Sequence, residues 1–454
     1  MSFAIPYTGN LLVRLARLET VTDAVSSLLT DRYELTMLNA AIRAGTHDRE
    51  CVFEVFARRL SGGRRYGIVA GTGRLLDLIE DFRFTDLELD WLRDNTVVYD
   101  RALDWLAGYR FTGTISGYQE GEVYFPGSPL LIVEGTFAEA VILETLALSV
   151  LNYDSAVATA ASRMVSAASG RPLAEMGSRR TGERSAVAAA RAAFIAGFAA
   201  TSNLEAGRSW GVPTMGTSAH SFTLLHDTEE DAFRAQVDAL GPGTTLLVDT
   251  YDVAAAVDLA VKVAGTGLGA VRIDSGDLPE QVAAVRRQLD GLGAVNTKIT
   301  VTNDLDEFTI AALRAAPVDS YGVGTSVVTG SGSPAAGLVY KLAARKDAAG
   351  AWISVAKQSP EKVSIGGRKF PVREFTAAGK ASAEVIYLGE PPAATSTHRS
   401  LLVPLVVDGV AVERFRGVAG TALAREHRAA AISELPEEAF RLSRGDPVIP
   451  TRYA

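Results

Sequence analysis

The sequence has one cysteine, five histidines and no surplus of basic residues, and each of these shortages excludes a class of function. A single thiol, Cys51, can form neither an internal disulfide nor a cysteine-rich zinc site, so we expect no structural zinc. Acidic residues outnumber basic ones by 53 to 45, whereas binding along a nucleic-acid backbone needs an excess of lysine and arginine. We therefore expect no nucleic-acid partner, although a local basic pocket for a small phosphorylated molecule is compatible with this balance.

Long hydrophobic runs are also missing. No uninterrupted apolar run approaches the ~20 residues that a membrane-spanning helix needs. Residues 1–20 carry Arg14 and Arg17 inside their apolar stretch, which is not typical of a signal peptide. The sequence therefore predicts a cytoplasmic enzyme without a membrane partner.

The 454 residues are 47% hydrophobic and 22% charged, which is typical of a globular protein with two or three domains. Residues 1–145 predict an N-terminal α+β sheet domain. Within it, Thr30 is expected to cap a helix that begins at Asp31 and stops at Gly45, and residues 51–56 alternate like a strand. Residues 341–454 predict a partly β C-terminal region that packs on the N-terminal domain, with a hairpin turn at Asp408 and Gly409.

The middle of the chain, residues 146–340, alternates short apolar runs with alanine-rich helical stretches. The predicted helices include residues 184–198, 253–263 and 279–289. The predicted strands are residues 173–176, 212–215, 245–248, 270–273, 298–301 and 320–323. Strands that alternate with helices indicate a parallel sheet. The predicted fold class is therefore α/β, an irregular β/α barrel joined to the N-terminal sheet domain and the C-terminal region.

Polar or glycine residues follow each predicted strand. Such positions lie at the C-terminal face of a β/α barrel, where active sites form, although a single polar residue can also be only a helix cap. Arg272 alternates with two apolar neighbours and shares a face with Asp274, so its guanidinium needs an anionic partner. The remaining candidates at this face are Arg179, Arg180, Thr217, Ser218, His220, Asp277 and Asn303.

A glycine-rich loop follows the last predicted strand of the barrel. Backbone N–H groups of Gly322, Gly324, Thr325 and Ser326 can surround a phosphate, or the loop can be only a flexible turn. It matches neither the Walker pattern nor the dinucleotide fingerprint. Tyr33 can pack in the core or offer a flat ligand an aromatic surface.

His220 is the one histidine in a loop of small residues after a predicted strand. Its imidazole can act as a base, a metal ligand or an acceptor of a phosphoryl group. No His-x-x-x-His spacing is present, but Asp249, Asp274 and Asp277 can hold Mg²⁺ together with phosphate oxygens.

Five segments of the chain carry a resemblance to a known family: residues 30–37 (TDRYELTM), 177–180 (GSRR), 216–222 (GTSAHSF), 272–278 (RIDSGDL) and 322–326 (GVGTS). They resemble the nicotinate phosphoribosyltransferase family, of the type II phosphoribosyltransferases, and they occur in the order of that family. Residues 120–135 also resemble the sheet domain of quinolinate phosphoribosyltransferase. The resemblance implies that nicotinate, 5-phosphoribosyl-1-diphosphate, ATP and water give nicotinate mononucleotide, diphosphate, ADP and phosphate, in a salvage route to NAD.

The resemblance also implies roles for the candidate residues. His220 is expected to be phosphorylated transiently by ATP, and Mg²⁺ at Asp274 and Asp277 to assist the departing diphosphate. A homodimer with a shared active site is expected as well. The nicotinate site is expected to use Tyr33, Thr217, Ser218 and Arg272. The phosphate, ribose and diphosphate contacts are expected from Arg179, Arg180, Asp274, Asp277, Asn303, Gly322, Gly324, Thr325 and Ser326.

Three other functions remain open from the sequence. Nicotinamide phosphoribosyltransferases hold the amide with an aspartate, whereas the comparable run here, residues 200–203 (ATSN), has no carboxylate, which favours an acid substrate. A barrel aldolase or isomerase would place a Schiff-base lysine after a strand, and no such lysine stands out. A catalytically inactive binding protein could keep the same scaffold.

Overall fold

The computed structural model describes residues 27–357, 364–393 and 395–454. The expectation about a signal peptide concerns residues 1–20, which lie outside this part of the chain.

Helices and strands are numbered here in chain order. The α-helices are α1 (Arg32–Ala44), α2 (Thr72–Asp81), α3 (Asp86–Asp94), α4 (Asp100–Ala107), α5 (Phe137–Val141), α6 (Glu144–Ala168), α7 (Glu183–Ile195), α8 (Leu204–Trp210), α9 (His220–Leu225), α10 (Glu229–Leu240), α11 (Val253–Ala264), α12 (Leu278–Gly291), α13 (Glu307–Ala312), α14 (Thr325–Val328) and α15 (Gly417–Ser433). The strands are β1 (Glu50–Ala57), β2 (Gly67–Ile68), β3 (Thr114–Tyr118), β4 (Val123–Tyr124), β5 (Pro129–Thr136), β6 (Leu173–Glu175), β7 (Ala200–Thr201), β8 (Thr245–Leu247), β9 (Ala270–Ile273), β10 (Lys298–Val301), β11 (Ser320–Val323), β12 (Leu338–Lys346), β13 (Trp352–Ser354), β14 (Lys369–Phe375), β15 (Ala381–Leu388), β16 (His398–Ser400), β17 (Leu402–Val407), β18 (Val410–Ala411) and β19 (Thr451–Tyr453).

A seven-stranded antiparallel sheet combines strands from both ends of the described chain, in the order β13-β12-β1-β5-β3-β17-β18. The strand predicted at residues 51–56 is confirmed as part of β1. Strand β12 crosses the expected domain boundary at residue 340, and α6 crosses the one at residue 145. The division into three domains stays a prediction.

Two local predictions in this region have different outcomes. The hairpin at Asp408 and Gly409 is confirmed: both residues have positive φ, 48° and 78°, and Val407 pairs with Val410. Positive φ at both central positions is the geometry of a type I′ turn. The predicted cap of α1 is wrong by one position, because Asp31 is the N-cap and the Thr30 hydroxyl donates instead to Glu34 at 2.5 Å.

The second large sheet has six parallel strands in the order β7-β6-β11-β10-β9-β8. Its two edge strands, β7 and β8, are not paired with each other in the described part of the chain, so the six strands form a half-barrel. The predicted α/β fold class is confirmed. Five of the six predicted strands match β6, β8, β9, β10 and β11. The prediction at residues 212–215 is wrong, because only Thr214 forms an isolated bridge, to Thr201 of β7.

Helices α6, α7, α11 and α12 contribute apolar faces to the core beside this sheet. Valine and isoleucine side chains such as Val271, Ile273 and Val301 are completely buried, and burial of each contributes about 1.5–3 kcal/mol. The stretch Phe137–Ala168 is long and apolar enough to cross a membrane by length and composition, which corrects the expectation that no such stretch exists. However, 67% of its apolar window is buried inside the protein, as in a core helix.

Smaller sheets complete the fold: β2 pairs with β4, and four strands follow the order β16-β14-β15-β19. The N-terminal and central parts of the chain are joined through a buried ion pair. Arg191 of α7 donates to both carboxylate oxygens of Glu120, at 2.6 and 2.7 Å, and lies 4.5 Å from the centre of the Trp210 ring. Backbone N–H groups of Gly71 and Gly73 donate to the same carboxylate, so both of its oxygens are fully satisfied.

Candidate active site

The carboxyl ends of β6, β9, β10 and β11 surround a polar cavity of about 310 Å³. Most of the residues that line it belong to the set predicted from the sequence. They are Met176, Arg179, Arg180, Arg272, Asp274, Thr302, Asn303, Asp304, Gly322, Gly324 and Thr325. A parallel sheet brings these residues together because all its strands end at one edge.

Arg272 enters this cavity from β9 and is held by the loop before α9. Its Nη1 atom donates to the Thr217 hydroxyl at 2.5 Å and to the Ser218 carbonyl at 3.1 Å. Its Nε atom is buried and has no hydrogen-bond partner. Burial lowers the pKa of Arg272, while the nearby Asp274 carboxylate acts in the opposite direction. A half-buried guanidinium with an unused donor is suited to an anionic ligand.

The Asp274 carboxylate lies next to Arg272 and is oriented by β10. Oδ1 of Asp274 accepts a hydrogen bond from the Thr302 hydroxyl, and the backbone N–H of Asp274 donates to Oδ2 of Asp249 at 2.8 Å. Thr302 was not among the predicted residues. It is the first residue after β10, and the sequence already marked that position as one of the polar strand ends.

His220 begins α9, and its Nε2 atom lies 3.1 Å from Oδ1 of Asp249. The Asp249 side chain is 1% exposed, while the imidazole is 40% exposed. The second oxygen of Asp249 accepts from the Ser275 hydroxyl at 2.7 Å. The sequence indicated Asp249 only as a metal ligand, whereas the structure shows that its side chain contacts His220.

Two glycines allow the strand ends to approach closely. A Cβ on Gly322 would lie 2.6 Å from the Thr302 methyl group and 2.7 Å from the Met176 sulfur. A Cβ on Gly177 would lie 2.3 Å from a methyl group of Val328 and 2.8 Å from the Gly324 carbonyl oxygen. Larger side chains at either position would force these strand ends apart.

Glu175 fixes the loop that carries Arg179 and Arg180, and the sequence gave no signal for this role. It is fully buried; one carboxylate oxygen accepts from the Thr201 hydroxyl at 2.6 Å and the other from the Gly177 N–H. Burial without a cationic partner raises the pKa of Glu175.

Seven predicted residues are not in the cavity lining: Tyr33, Thr217, Ser218, His220, Asp249, Asp277 and Ser326. Thr217 and Ser218 contact Arg272 directly, and His220 is linked to Asp274 through Asp249. Asp277 is exposed and is the N-cap of α12. Tyr33 lies on α1, where burial and the Glu144 carboxylate raise its pKa.

Within residues 27–357, 364–393 and 395–454, no three histidine, cysteine or carboxylate side chains are grouped closely enough to hold a metal. Any Mg²⁺ at this site would therefore take most of its ligands from substrate oxygens and water. That arrangement is usual for Mg²⁺, which often binds through one or two carboxylates and the phosphates of a substrate.

Comparisons with known proteins identify relatives over most of the chain. Residues 28–152 match the model of the nicotinate phosphoribosyltransferase N-terminal domain. The chain is 55% identical to nicotinate phosphoribosyltransferase pncB1 of Mycobacterium tuberculosis over 442 residues, covering 94% of this chain and 95% of the relative. It is 37% identical to the Bacillus subtilis nicotinate phosphoribosyltransferase over 358 residues, covering 76% and 73% of the two chains.

The fold is also found in solved structures. The crystal structure of human nicotinic acid phosphoribosyltransferase superposes with a TM-score of 0.80 at 25% identity, covering 94% of this chain and 97% of the human one. The nicotinate-nucleotide pyrophosphorylase of Pyrococcus furiosus shares the fold with a TM-score of 0.72 at 22% identity, covering 97% and 100%. From the near-complete match to pncB1 and the shared fold, this chain belongs to the nicotinate phosphoribosyltransferase family.

Proposed function

We propose that this protein transfers the phosphoribosyl group of 5-phosphoribosyl-1-diphosphate to nicotinate and couples the transfer to ATP hydrolysis. The products are nicotinate mononucleotide, diphosphate, ADP and phosphate, in a cytoplasmic salvage route to NAD. The observation that carries this proposal is the 55% identity, over 94% of the chain, to a relative whose name states the transfer. The arginine-rich cavity supports it independently, because nicotinate, 5-phosphoribosyl-1-diphosphate and ATP are all anions.

In the proposed transfer, the ring nitrogen of nicotinate forms a bond to C1 of the ribose as the bond from C1 to diphosphate breaks. Positive charge develops on the sugar and negative charge on the leaving diphosphate, as in glycoside chemistry. Arg179 and Arg180 are placed at the same cavity as Arg272 and can neutralise the leaving group. Arg272, with its unpaired Nε–H, is assigned to an anionic group of the substrates.

His220 is proposed to accept the γ-phosphoryl group of ATP. Asp249 accepts a hydrogen bond from Nε2–H, which leaves the lone pair on Nδ1 free to attack the γ-phosphorus while ADP departs. Water then hydrolyses the phosphohistidine to phosphate and histidine. The buried Asp249 also accepts a hydrogen bond from the backbone N–H of Asp274. A phosphoryl group added at His220 can therefore act through Asp249 on the position of Asp274 in the transfer cavity.

Mg²⁺ is proposed to bind at Asp274 together with diphosphate oxygens, where it would supply positive charge to the leaving group. One oxygen of Asp274 is already engaged by Thr302, and the other has no hydrogen bond in the part of the chain that the structure describes. Asp277 is less suited to Mg²⁺, because its Oδ1 atom already accepts the backbone N–H of Glu280 as the N-cap of α12.

A homodimer with a shared active site is part of the same proposal. Tyr33 was assigned to nicotinate by resemblance, yet it does not line the cavity formed by its own chain, and it is 44% exposed. A second copy that brings the first turn of its α1, which carries Tyr33, to this cavity would supply the missing aromatic surface. An aldolase-type reaction has less support, because no lysine is among the residues that line the cavity.

A product assay by mass spectrometry tests the proposal. Purified protein is mixed with Mg²⁺, 5-phosphoribosyl-1-diphosphate and either nicotinate or nicotinamide, with and without ATP. We expect nicotinate mononucleotide with stoichiometric ADP, and loss of the ADP in a His220→Ala variant. Product from nicotinamide instead would move the protein to the sister reaction, and no product from either base would refute the proposed activity.

A further inference from the structure

A groove on the N-terminal sheet has no part in the proposed reaction. It lies where α1, β1 and β12 meet and has a volume of about 430 Å³. Its apolar surface comes from Met37 and Ala41 of α1, Cys51 of β1, Phe137 and Leu342. Water in contact with such a surface is displaced favourably by an apolar ligand.

Two arginines flank this apolar surface without a partner. Arg49 and Arg345 both line the groove, and neither guanidinium makes a hydrogen bond or an ion pair with any residue that the structure describes. They lie on one face of the sheet, because Arg345 is directly opposite Cys51, and Arg49 is two residues from Cys51. By contrast, the neighbouring Lys346 pairs with Glu50 at 2.6 Å.

We infer that this groove binds a small amphipathic carboxylate, with its apolar chain against the groove surface and its head group on Arg49 and Arg345. A carboxylate matches the fork geometry of a guanidinium, and two such forks favour an anionic head over a neutral one. The apolar floor disfavours polyphosphates, which would leave charged oxygens facing Met37, Phe137 and Leu342.

Calorimetric titration of the full-length protein with octanoate tests this site. We expect a dissociation constant on the order of 1 mM, since a ligand of this size has few atoms with which to offset the cost of association. The double variant Arg49→Gln, Arg345→Gln should bind at least about tenfold more weakly. Arg43→Gln is the matched control, because Arg43 is also a basic residue near the end of α1 but does not line the groove.

Cys51 offers a second readout that locates the ligand. It is the only cysteine of the chain and is 2% exposed, and burial raises the pKa of its thiol to about 11. Only the thiolate reacts, so alkylation of Cys51 by iodoacetamide is followed at a fixed pH of about 9 until the unliganded protein reacts measurably, and bound octanoate should slow it further. Ala40→Trp, on the exposed side of the groove, should fill the groove and remove both the calorimetric signal and the effect of octanoate on alkylation.

Three results would overturn the inference. No heat and no protection at about 20 mM octanoate would mean that the groove takes no such ligand. Equal binding by the wild type and the double arginine variant would remove the proposed head-group contact. Equal binding of 1-octanol and octanoate would reduce the groove to an apolar patch without preference for an anion.

Discussion

Oδ1 of Asp249 lies 3.1 Å from Nε2 of His220, while Oδ2 of the same carboxylate receives the backbone N–H of Asp274 at 2.8 Å. One buried side chain therefore joins the histidine proposed to carry phosphate to the loop that carries the transfer residues. The pairing also selects the tautomer of His220, because an ionised carboxylate only accepts hydrogen bonds and so requires a proton on Nε2. In the proposed reaction, this arrangement makes Asp249 a positioning residue for the ATP-dependent half.

Replacing Asp249 with asparagine should separate the two halves of the reaction. The amide keeps the size of the side chain but no longer demands a proton on Nε2, so we expect ATP-coupled turnover to fall by about 100-fold or more. Turnover without ATP should fall much less. Steady-state assays with and without ATP measure the difference.

Asp252→Asn is the matched control for this variant. Asp252 accepts from the Ala255 N–H at 2.8 Å as the cap of α11, and asparagine caps helices equally well. Equal losses with and without ATP in the Asp249 variant would contradict a role through His220.

Arg272→Lys should raise the KM for an anionic substrate about tenfold or more. Lysine keeps the charge but cannot donate both to Thr217 and Ser218 and to a ligand with a planar fork. Loss of a charge-assisted hydrogen bond of this kind amounts to about 1.5–3 kcal/mol. Initial-rate measurements with each substrate varied in turn show which KM rises. Arg287→Lys, on the exposed side of α12, is the control and should leave the KM of each substrate unchanged.

The strand ends were predictable because a parallel sheet places all of them at one edge, so Arg272 and Asp274 could be assigned to one face from alternation alone. The contact between His220 and Asp249 was not predictable, because it joins α9 to the end of β8 across 29 residues and depends on how a loop folds. Glu175 gave no signal either, since a carboxylate within a short apolar strand contradicts the usual pattern of burial. The strand expected at residues 212–215 failed because its pairing is limited to one bridge, while β7 is too short to show a period.

Ser202→Asp should weaken the use of nicotinate. Ser202 follows β7, and its N–H donates to the Glu175 carbonyl at 2.8 Å, so its backbone is fixed beside the loop of Arg179. A new carboxylate there would repel the carboxylate of nicotinate, and we expect kcat/KM for nicotinate to fall about tenfold. Ser202→Asn is neutral and nearly the same size, so it separates charge from bulk. Unchanged nicotinate kinetics in the aspartate variant would place Ser202 outside the base site.

Arg191→Met should destabilise the fold strongly. The substitution leaves the Glu120 carboxylate buried without its cation, and breaking such a pair costs about 3–5 kcal/mol. Urea denaturation followed by circular dichroism measures the change in the free energy of unfolding. Arg208→Met is the control, because Arg208 pairs with Glu205 at the surface and its loss should change stability little. Similar midpoints for the two variants would show that the buried pair contributes no more than an exposed one.

Glu34→Gln should stabilise the protein increasingly as the pH rises from about 4.5 to 7. Burial raises the pKa of Glu34 from 4.5 to about 7, although the Thr145 hydroxyl and N–H and the Thr30 hydroxyl all donate to its carboxylate. Between these two values the unfolded chain releases a proton that the folded one keeps, so the wild type loses stability as pH rises and the loss is complete above pH 7. The difference corresponds to at most about 3 kcal/mol. Glutamine has no ionisable proton, so the urea midpoint of the variant should exceed that of the wild type by more at pH 8 than at pH 5. An equal difference between the two proteins at both pH values would show that Glu34 ionises normally in the folded protein.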